Sequence, residues 1–305
     1  MRVFVKNIFL FTGIILFPLV LYTGFIYVAN SILVANYRVN PGVNTIVIGD
    51  SHTQKAINDQ YFPNAINLSQ SSESFLYSYV KLKEILKHNP NIKTVLLGCS
   101  FHSFSAYYDE FVFGKYSSEI SAGYFFAMPV DLQWQFLYRN NTLTGQYYRS
   151  LLHKGFLNLL ADSGRYSFLG GYEPYFTKVK MTRESVGKRV NTHYFCDGQL
   201  VGFSSVNIDY LHKIARLCHE KNVRLILLNT PLHECYLEKV PDTFRDRFYS
   251  LVNVNKFELI EFDGLHLNDS CFLPDGDHVT GEGARLTTQF LVRYLRADSV
   301  KTRKE

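Results

Sequence analysis

The sequence predicts an α/β fold with helices on both faces of a mostly parallel central sheet. Two observations carry this: short apolar runs that stop at a turn residue, and amphipathic stretches that alternate with them. Residues 44–48 (Asn44-Thr45-Ile46-Val47-Ile48) run into Gly49, the pattern of a buried parallel strand feeding a turn. Phe75, Tyr79, Leu82 and Leu86 recur at helical spacing over 73–88, and Asn89-Pro90 stops that helix before a second run, Thr94 to Leu97, ending at Gly98. Leu211, Ile214, Ala215 and Cys218 line one face of a later helix, and Val223 to Leu228 follows as a strand ended by Asn229-Thr230-Pro231. A strand near Phe257 to Phe262 and a final helix carrying Leu286, Phe290 and Tyr294 complete the alternation.

A length of 305 residues gives one or two domains and a full buried core. Hydrophobic residues make up 47% and charged residues 19%, which excludes low-complexity, collagen-like and coiled-coil classes. The net charge is +5, but Arg2 and Lys6 flank an apolar segment and Lys301, Arg303 and Lys304 cluster at the end. The body between them has too little positive charge for a nucleic-acid partner. Five widely spaced cysteines form no C-x-x-C pair, so neither a zinc ribbon nor a thioredoxin-like redox site is signalled. Cys99 and Cys218 sit in apolar patterns and read as core thiols; one bridge among Cys196, Cys235 and Cys271 is open in an oxidising compartment.

No charged residue stands between Lys6 and Arg38, and Ile8 to Val34 is almost wholly apolar, long enough to cross a hydrocarbon layer of roughly 30 Å. Pro18 is a place for a kink. Arg2 and Lys6 put the N-terminus in the cytoplasm by the positive-inside tendency, and everything after about residue 38 outside. A cleaved signal peptide is the other reading; the run exceeds a usual signal core and has no small-x-small cleavage site, which favours an uncleaved anchor. The expected organisation is an anchor over 1–37 and an α/β body over 38–305. Within that body, 101–200 breaks the alternation and is rich in Tyr and Phe, reading as an insertion. Its aromatics would form either ordinary packing or a platform for a sugar ring or acyl chain.

In an open parallel sheet ligands bind beyond the carboxyl ends of the strands. The first such end reads Gly49-Asp50-Ser51-His52-Thr53, where glycine permits a tight turn and Ser51 opens a helix near unpaired backbone N–H groups. That position suits a nucleophile, with its own N–H able to help hold an oxyanion; the plainer alternative is that Asp50 and Ser51 cap a helix. A serine needs a base, and the base an orienting acid. Pro274-Asp275-Gly276-Asp277-His278-Val279-Thr280 supplies both before the last helix: Asp275 and His278 share one side of a turn, and Thr280 caps the helix that follows. Asp263-Gly264-Leu265-His266 has the same D-x-x-H spacing but continues as loop, so Asp275 and His278 are preferred. No ligand spacing such as H-E-x-x-H points to a metal, and no cofactor is expected.

Gly49-Asp50-Ser51 after the first strand, with Asp275-x-x-His278 before the last helix, resembles the SGNH (GDSL-like) hydrolases. The resemblance implies a flavodoxin-like three-layer sandwich and an ester-directed triad of Ser51, His278 and Asp275. It also implies an oxyanion hole completed by a glycine and an asparagine. Asn67-Leu68-Ser69-Gln70-Ser71-Ser72 resembles the second family block with Ser72 at the glycine, and Gly98-Cys99-Ser100-Phe101 the third with Ser100 at the asparagine. Ser72 retains a backbone N–H, and the Ser100 hydroxyl donates with a shorter reach than an amide. His52 and His102 flank the same strand ends, either as satisfied structural histidines or as substrate contacts and stand-in donors.

The anchored arrangement is similar to that of SGNH-like proteins that add or remove acyl groups on bacterial envelope polysaccharides, alginate O-acetylation proteins among them. It implies a single-pass protein of the bacterial inner membrane with a periplasmic body, an acylated carbohydrate or polysaccharide as substrate, and a multispanning partner if an acyl donor must be supplied outside. The expected function is a serine-dependent esterase or O-acyltransferase. The alternative is a non-catalytic carbohydrate-binding or polysaccharide-assembly protein whose oxyanion hole has been lost at Ser72 and Ser100.

Overall fold

β1 (Thr45–Ile48), β2 (Ala65–Asn67), β3 (Thr94–Gly98), β4 (Arg224–Asn229) and β5 (Glu258–Glu261) form one sheet in the order β2-β1-β3-β4-β5. Every pairing in it is parallel. This is the flavodoxin-like order, in which the chain departs from β1 in one direction and from β3 in the other, opening a crevice at their carboxyl ends. The computed structural model of the chain describes residues 1–139, 144–162 and 165–301; Arg303 and Lys304 of the basic C-terminal cluster lie outside them.

The helices in chain order are α1 (Arg2–Asn36), α2 (Ser51–Ala56), α3 (Phe75–His88), α4 (Ser117–Tyr124), α5 (Val130–Arg139), α6 (Thr144–Leu160), α7 (Arg183–Tyr194), α8 (Ser205–Glu220), α9 (Asp242–Asn255) and α10 (Gly281–Lys301), with short single-turn helices between them. Alternation along the strands divides the core in two. Ile46, Ile48, Val95, Leu97 and Leu227 pack with α3, α8 and α9, whereas Val47, Leu96, Ile226, Leu228 and Ile260 pack with Ala56 at the end of α2 and with Ala284 and Leu291 of α10. Strands covered on both faces read as continuous apolar runs, which is why β1, β3 and β4 are visible in the sequence, while the edge strand β5 is marked by Phe257 and Phe262 on its flanks. The edge strand β2 is not visible: it is three residues long and half-buried at two of them.

The stretch 101–200 is largely helical and extends the first core rather than forming a separate one. Tyr124, Phe136, Tyr147 and Phe168 are buried in the same cluster as the sheet, so most of its aromatic content is packing. It closes with an antiparallel ribbon of Phe195–Cys196 and Gln199–Leu200. All five cysteines are free thiols, Cys196 exposed and Cys271 buried, so the bridge left open by the sequence is not formed. Burial pushes the Cys218 thiol up to about 12 and Cys99 higher still, as inert core thiols require.

Helix α1 has a mean hydropathy of 2.2 over its most apolar window and runs unbroken through Pro18. It is long and apolar enough to cross a membrane. Its first two thirds are exposed, while Ile26, Asn30 and Val34 near its end are buried against the body.

Candidate active site

Gly49 makes the turn after β1 possible: its φ is +144°, and a Cβ there would stand 2.4 Å from Thr53 Oγ1. Asp50 then caps α2, its Oδ1 accepting from His52 N at 2.9 Å, and Ser51 becomes the first helical residue. At the other end of the body, residues 272–279 form a tight loop closed by a bridge between Phe272 and Val279, with Leu273 N donating to His278 O. Thr280 caps α10 directly after it.

These two loops meet. His278 Nε2 lies 2.8 Å from Ser51 Oγ, and His278 Nδ1 lies 2.8 Å from Asp275 Oδ2. An Nδ1–H donated to the Asp275 carboxylate leaves Nε2 as an acceptor for the serine proton, the tautomer a general base requires. Ser51, His278 and Ser72 line a cavity of about 250 Å³, together with Lys55, Tyr107, Phe111 and Arg189. Tyr107, Tyr108 and Phe111 are thus the Tyr and Phe residues of the insertion that reach the cavity.

Ser72 sits in the left-handed region with φ +63°, a conformation that favours glycine. Among the described residues the backbone N–H groups of Ser51 and Ser72 have no protein acceptor. The loop bearing Ser72 is fixed from beneath: the buried Glu73 carboxylate takes the Lys81 ammonium and the hydroxyls of Ser78 and Tyr124. Ser100 is placed differently. Its hydroxyl donates to Asn229 Oδ1 at 2.7 Å and is buried, so it does not serve the cavity.

His52 and His102 are buried structural histidines in a larger network. His52 Nδ1 meets Asp50 Oδ1 at 3.0 Å and its Nε2 meets Asp277 Oδ2 at 3.1 Å, while His102 Nε2 and the Tyr108 hydroxyl share Asp50 Oδ2. The rings of His278, His52, His102 and His193 form a ladder, with centroids 4.4, 3.9 and 4.8 Å apart in succession. Arg189 Nε donates to Asp277 Oδ2 at 2.6 Å. Asp277 Oδ1 lies 3.2 Å from His278 Nδ1, so the imidazole faces two carboxylates, Asp275 hydrogen-bonded and Asp277 completely buried.

Burial would depress the His52 imidazole, but its two carboxylates outweigh that and raise it to about 9. Burial and the charge on His52 together hold His102 down at about 4. Burial also acts to raise Asp50 and Asp277; the neighbouring histidines, and for Asp277 the Arg189 guanidinium, keep both well below the usual carboxylate range. The buried charges therefore pair: Asp50 and Asp277 against His52 and Arg189, with His102 neutral. Ligand atoms of Asp50, His52 and His102, and of His52, Asp277 and His278, lie close enough together to hold a cation. Each imidazole already faces a carboxylate at hydrogen-bond distance, so an ion would have to displace those protons.

Asp277, Arg189, His193 and Tyr108 are not singled out by the sequence pattern. Asp277 is the neighbour of His278 in Asp-Gly-Asp-His, and Val186, Arg189, Val190 and His193 fall at i, i+3, i+4 and i+7 of α7, an inward stripe that contains two polar residues. The competing pair, Asp263 and His266, lines a separate cavity of about 620 Å³ with Asn229, His233, Arg245 and Phe272, and that cavity contains none of Ser51, Asp275 and His278.

No family model matches the sequence, and no curated protein matches it. Among solved structures, a GDSL-like lipase from Bacteroides thetaiotaomicron is similar over 91% of this chain and 98% of its own, at 10% identity and a TM-score of 0.39. A candidate acylhydrolase from Bacteroides fragilis aligns over 87% and 93% at 10% identity, with a TM-score of 0.39. A candidate platelet activating factor from Streptococcus pneumonia aligns over 94% and 98% at 12% identity, also with a TM-score of 0.39.

Proposed function

We propose that this protein is a membrane-anchored serine esterase or O-acyltransferase that works on acyl esters, with acetylated extracytoplasmic carbohydrate as the substrate class. The observation that carries the reading is the unbroken hydrogen-bond line from Ser51 Oγ through His278 to Asp275. Ser51 Oγ attacks the acyl carbon while His278 Nε2 takes its proton, and Asp275 holds the tautomer and the resulting imidazolium. The tetrahedral oxyanion is held by the backbone N–H groups of Ser51 and Ser72. Expulsion of the alcohol, protonated by His278, leaves an acyl-serine. Water or a sugar hydroxyl, deprotonated by the same imidazole, then takes the acyl group and restores the serine.

The Arg2 and Lys6 charges before α1 support a cytoplasmic N-terminus and a body on the outer side. The docking of Ile26, Asn30 and Val34 against the body supports a retained helix over a removed one.

The test is hydrolysis of an activated acetyl ester by the full chain, together with fluorophosphonate labelling. Wild type is expected to turn over and to label at Ser51, and Ser51→Ala and His278→Ala to do neither. Full turnover by Ser51→Ala refutes the assignment. Folded wild type that resists the probe favours a carbohydrate-binding protein on a degenerate site, for which Ser100 is the specific pointer.

A further inference from the structure

We infer that α1 holds the body with the mouth of the Ser51 cavity turned toward the bilayer, so that the acyl group is presented by an amphiphile seated at the membrane surface. The second half of this inference rests on the acyl-transfer reading; the first half does not.

Helix α1 is not a loose tether. The Asn30 side chain donates to Gly155 O at 3.0 Å and accepts from Asn158 at 2.7 Å, and Asn158 in turn accepts from Ser167 N. A Cβ at Gly155 would lie 2.5 Å from Ile26, so α1 and α6 pack backbone to side chain. Tyr27 adds a hydrogen bond to Gln133 of α5. The direction of the span therefore sets the orientation of the body.

That direction can be traced through contacts. The chain leaving α1 meets the C-terminal end of α3, where Val39 N donates to Asn89 Oδ1 at 2.8 Å. Lys93 N donates to Asn44 O nearby, at the amino ends of β1 and β3. At the opposite end of α3, just after Ser72 and Glu73, Tyr77 stacks on Tyr124 at 4.6 Å; the next residue, Phe125, packs on Tyr147, and Tyr148 meets Thr23 of α1. Helices α1 and α3 thus lie side by side and point the same way. Followed back toward its N-terminus, α1 leaves the body at the face where the strands end and the cavity opens. From Asn7 to Ile26 the helix is about 30 Å long, one hydrocarbon thickness, which puts the outer membrane boundary where docking begins.

A second observation agrees. Val130, Trp134 and Tyr138 recur every four residues on α5 and are 60%, 67% and 78% exposed, opposite its buried Leu132 and Phe136. Trp and Tyr are the side chains that favour the interface between headgroups and hydrocarbon. A lipid surface reached by the same span that docks on α5 and α6 is the occupant of this stripe.

Trp134 is the only tryptophan in the chain and so reports its own surroundings. The full chain is reconstituted in phosphatidylcholine–phosphatidylglycerol vesicles, as wild type and as Ser51→Ala. Fluorophores are placed at Glu173→Cys, beside the cavity-lining Lys55, and at Lys221→Cys, before β4 at the opposite end, in a background with Cys196→Ser and Cys235→Ser. Headgroup-nitroxide lipid is expected to quench Trp134 and the label at 173 several-fold more than the label at 221. Equal or stronger quenching at 221, or quenching of Trp134 by aqueous iodide alone, overturns the orientation. A vesicle-embedded long-chain ester is expected to turn over at least about tenfold faster than the same ester in detergent micelles; equal rates overturn the amphiphilic substrate. Depth quenching is read without chemistry, and Ser51-dependent hydrolysis of a soluble acetyl ester is read without a membrane, so failure of the orientation and failure of the catalytic reading are separate results.

Discussion

Asp277→Asn is the substitution that most sharply tests how the buried charges are arranged. The carboxylate is fully buried, takes Arg189 Nε at 2.6 Å and His52 Nε2 at 3.1 Å on one oxygen, and faces His278 at 3.2 Å with the other. Asparagine keeps the volume but removes the charge, leaving His52 with Asp50 as its remaining carboxylate and the half-buried Arg189 without its ion-pair partner. Breaking a buried pair by removing one partner costs about 3–5 kcal/mol. For a body of this size that corresponds to a fall in Tm of about 10 °C. Asp275→Asn is the control: its side chain is 29% exposed and makes one short hydrogen bond to His278. Its stability cost is about 1 kcal/mol, whereas loss of the correct tautomer lowers kcat by about 10⁴ if the triad acts as proposed. Near-UV circular dichroism melts of the detergent-solubilised chain at pH 7, paired with ester turnover, separate the two effects. Equal melting temperatures for the two variants would refute the charge arrangement.

The remaining expectations concern pH and the oxyanion donors. His52 is raised from 6.5 to about 9, so its stabilisation is complete below pH 6.5 and is lost as pH rises through 9, on the order of 3 kcal/mol. His102 is lowered to about 4, so the stability from keeping it neutral is complete above pH 6.5 and is lost as pH falls through 4. Denaturant unfolding from pH 4 to 10 should therefore peak near 6.5; stability still rising at pH 9 would contradict the His52 environment. Ser72→Gly relieves a left-handed serine while keeping its N–H, so stability should stay within about 1 kcal/mol and ester turnover should be retained. Ser72→Pro removes the donor and also forbids the left-handed φ, so turnover should fall by at least about 10²–10³ and the melting temperature should fall with it. A loss of more than about tenfold in Ser72→Gly would shift the oxyanion contact from the backbone to the hydroxyl.

The sheet is legible where both faces of a strand are buried, because burial on two sides leaves an apolar run with a turn residue after it. β2 fails that test: Ala65-Ile66-Asn67 is an edge, with Asn67 turned inward to cap backbone carbonyls of Thr53 and Ile57. The stretch 101–200 is hard to read because its helices bury tyrosines and serines through hydrogen bonds rather than through a clean apolar stripe, as Ser121 on Ser117 O and Tyr124 on the Glu73 carboxylate illustrate. In the candidate site, Ser51, Asp275 and His278 are legible because each stands at the edge of a predicted element. Asp277 and Arg189 are not, because the features that distinguish them, the complete burial of Asp277 and an ion pair across 88 residues, exist only after folding. Ser100 shows the reverse: its position suggests a role that its hydrogen bond to Asn229 already occupies.

The contact between Ser51 and His278 joins residues 227 positions apart, and Asn58 is likewise stitched to Thr288 of α10. The proposed nucleophile is thus delivered early in synthesis and its proposed base nearly last. A nascent chain paused at any earlier point carries a serine with no proton acceptor, beside Asp50 and His52 lacking their outer countercharge. If the triad acts as proposed, the order of translation keeps the hydroxyl dormant until residues 275–278 have emerged, and C-terminal truncations should accumulate as unreactive, poorly folded species rather than as weak enzymes.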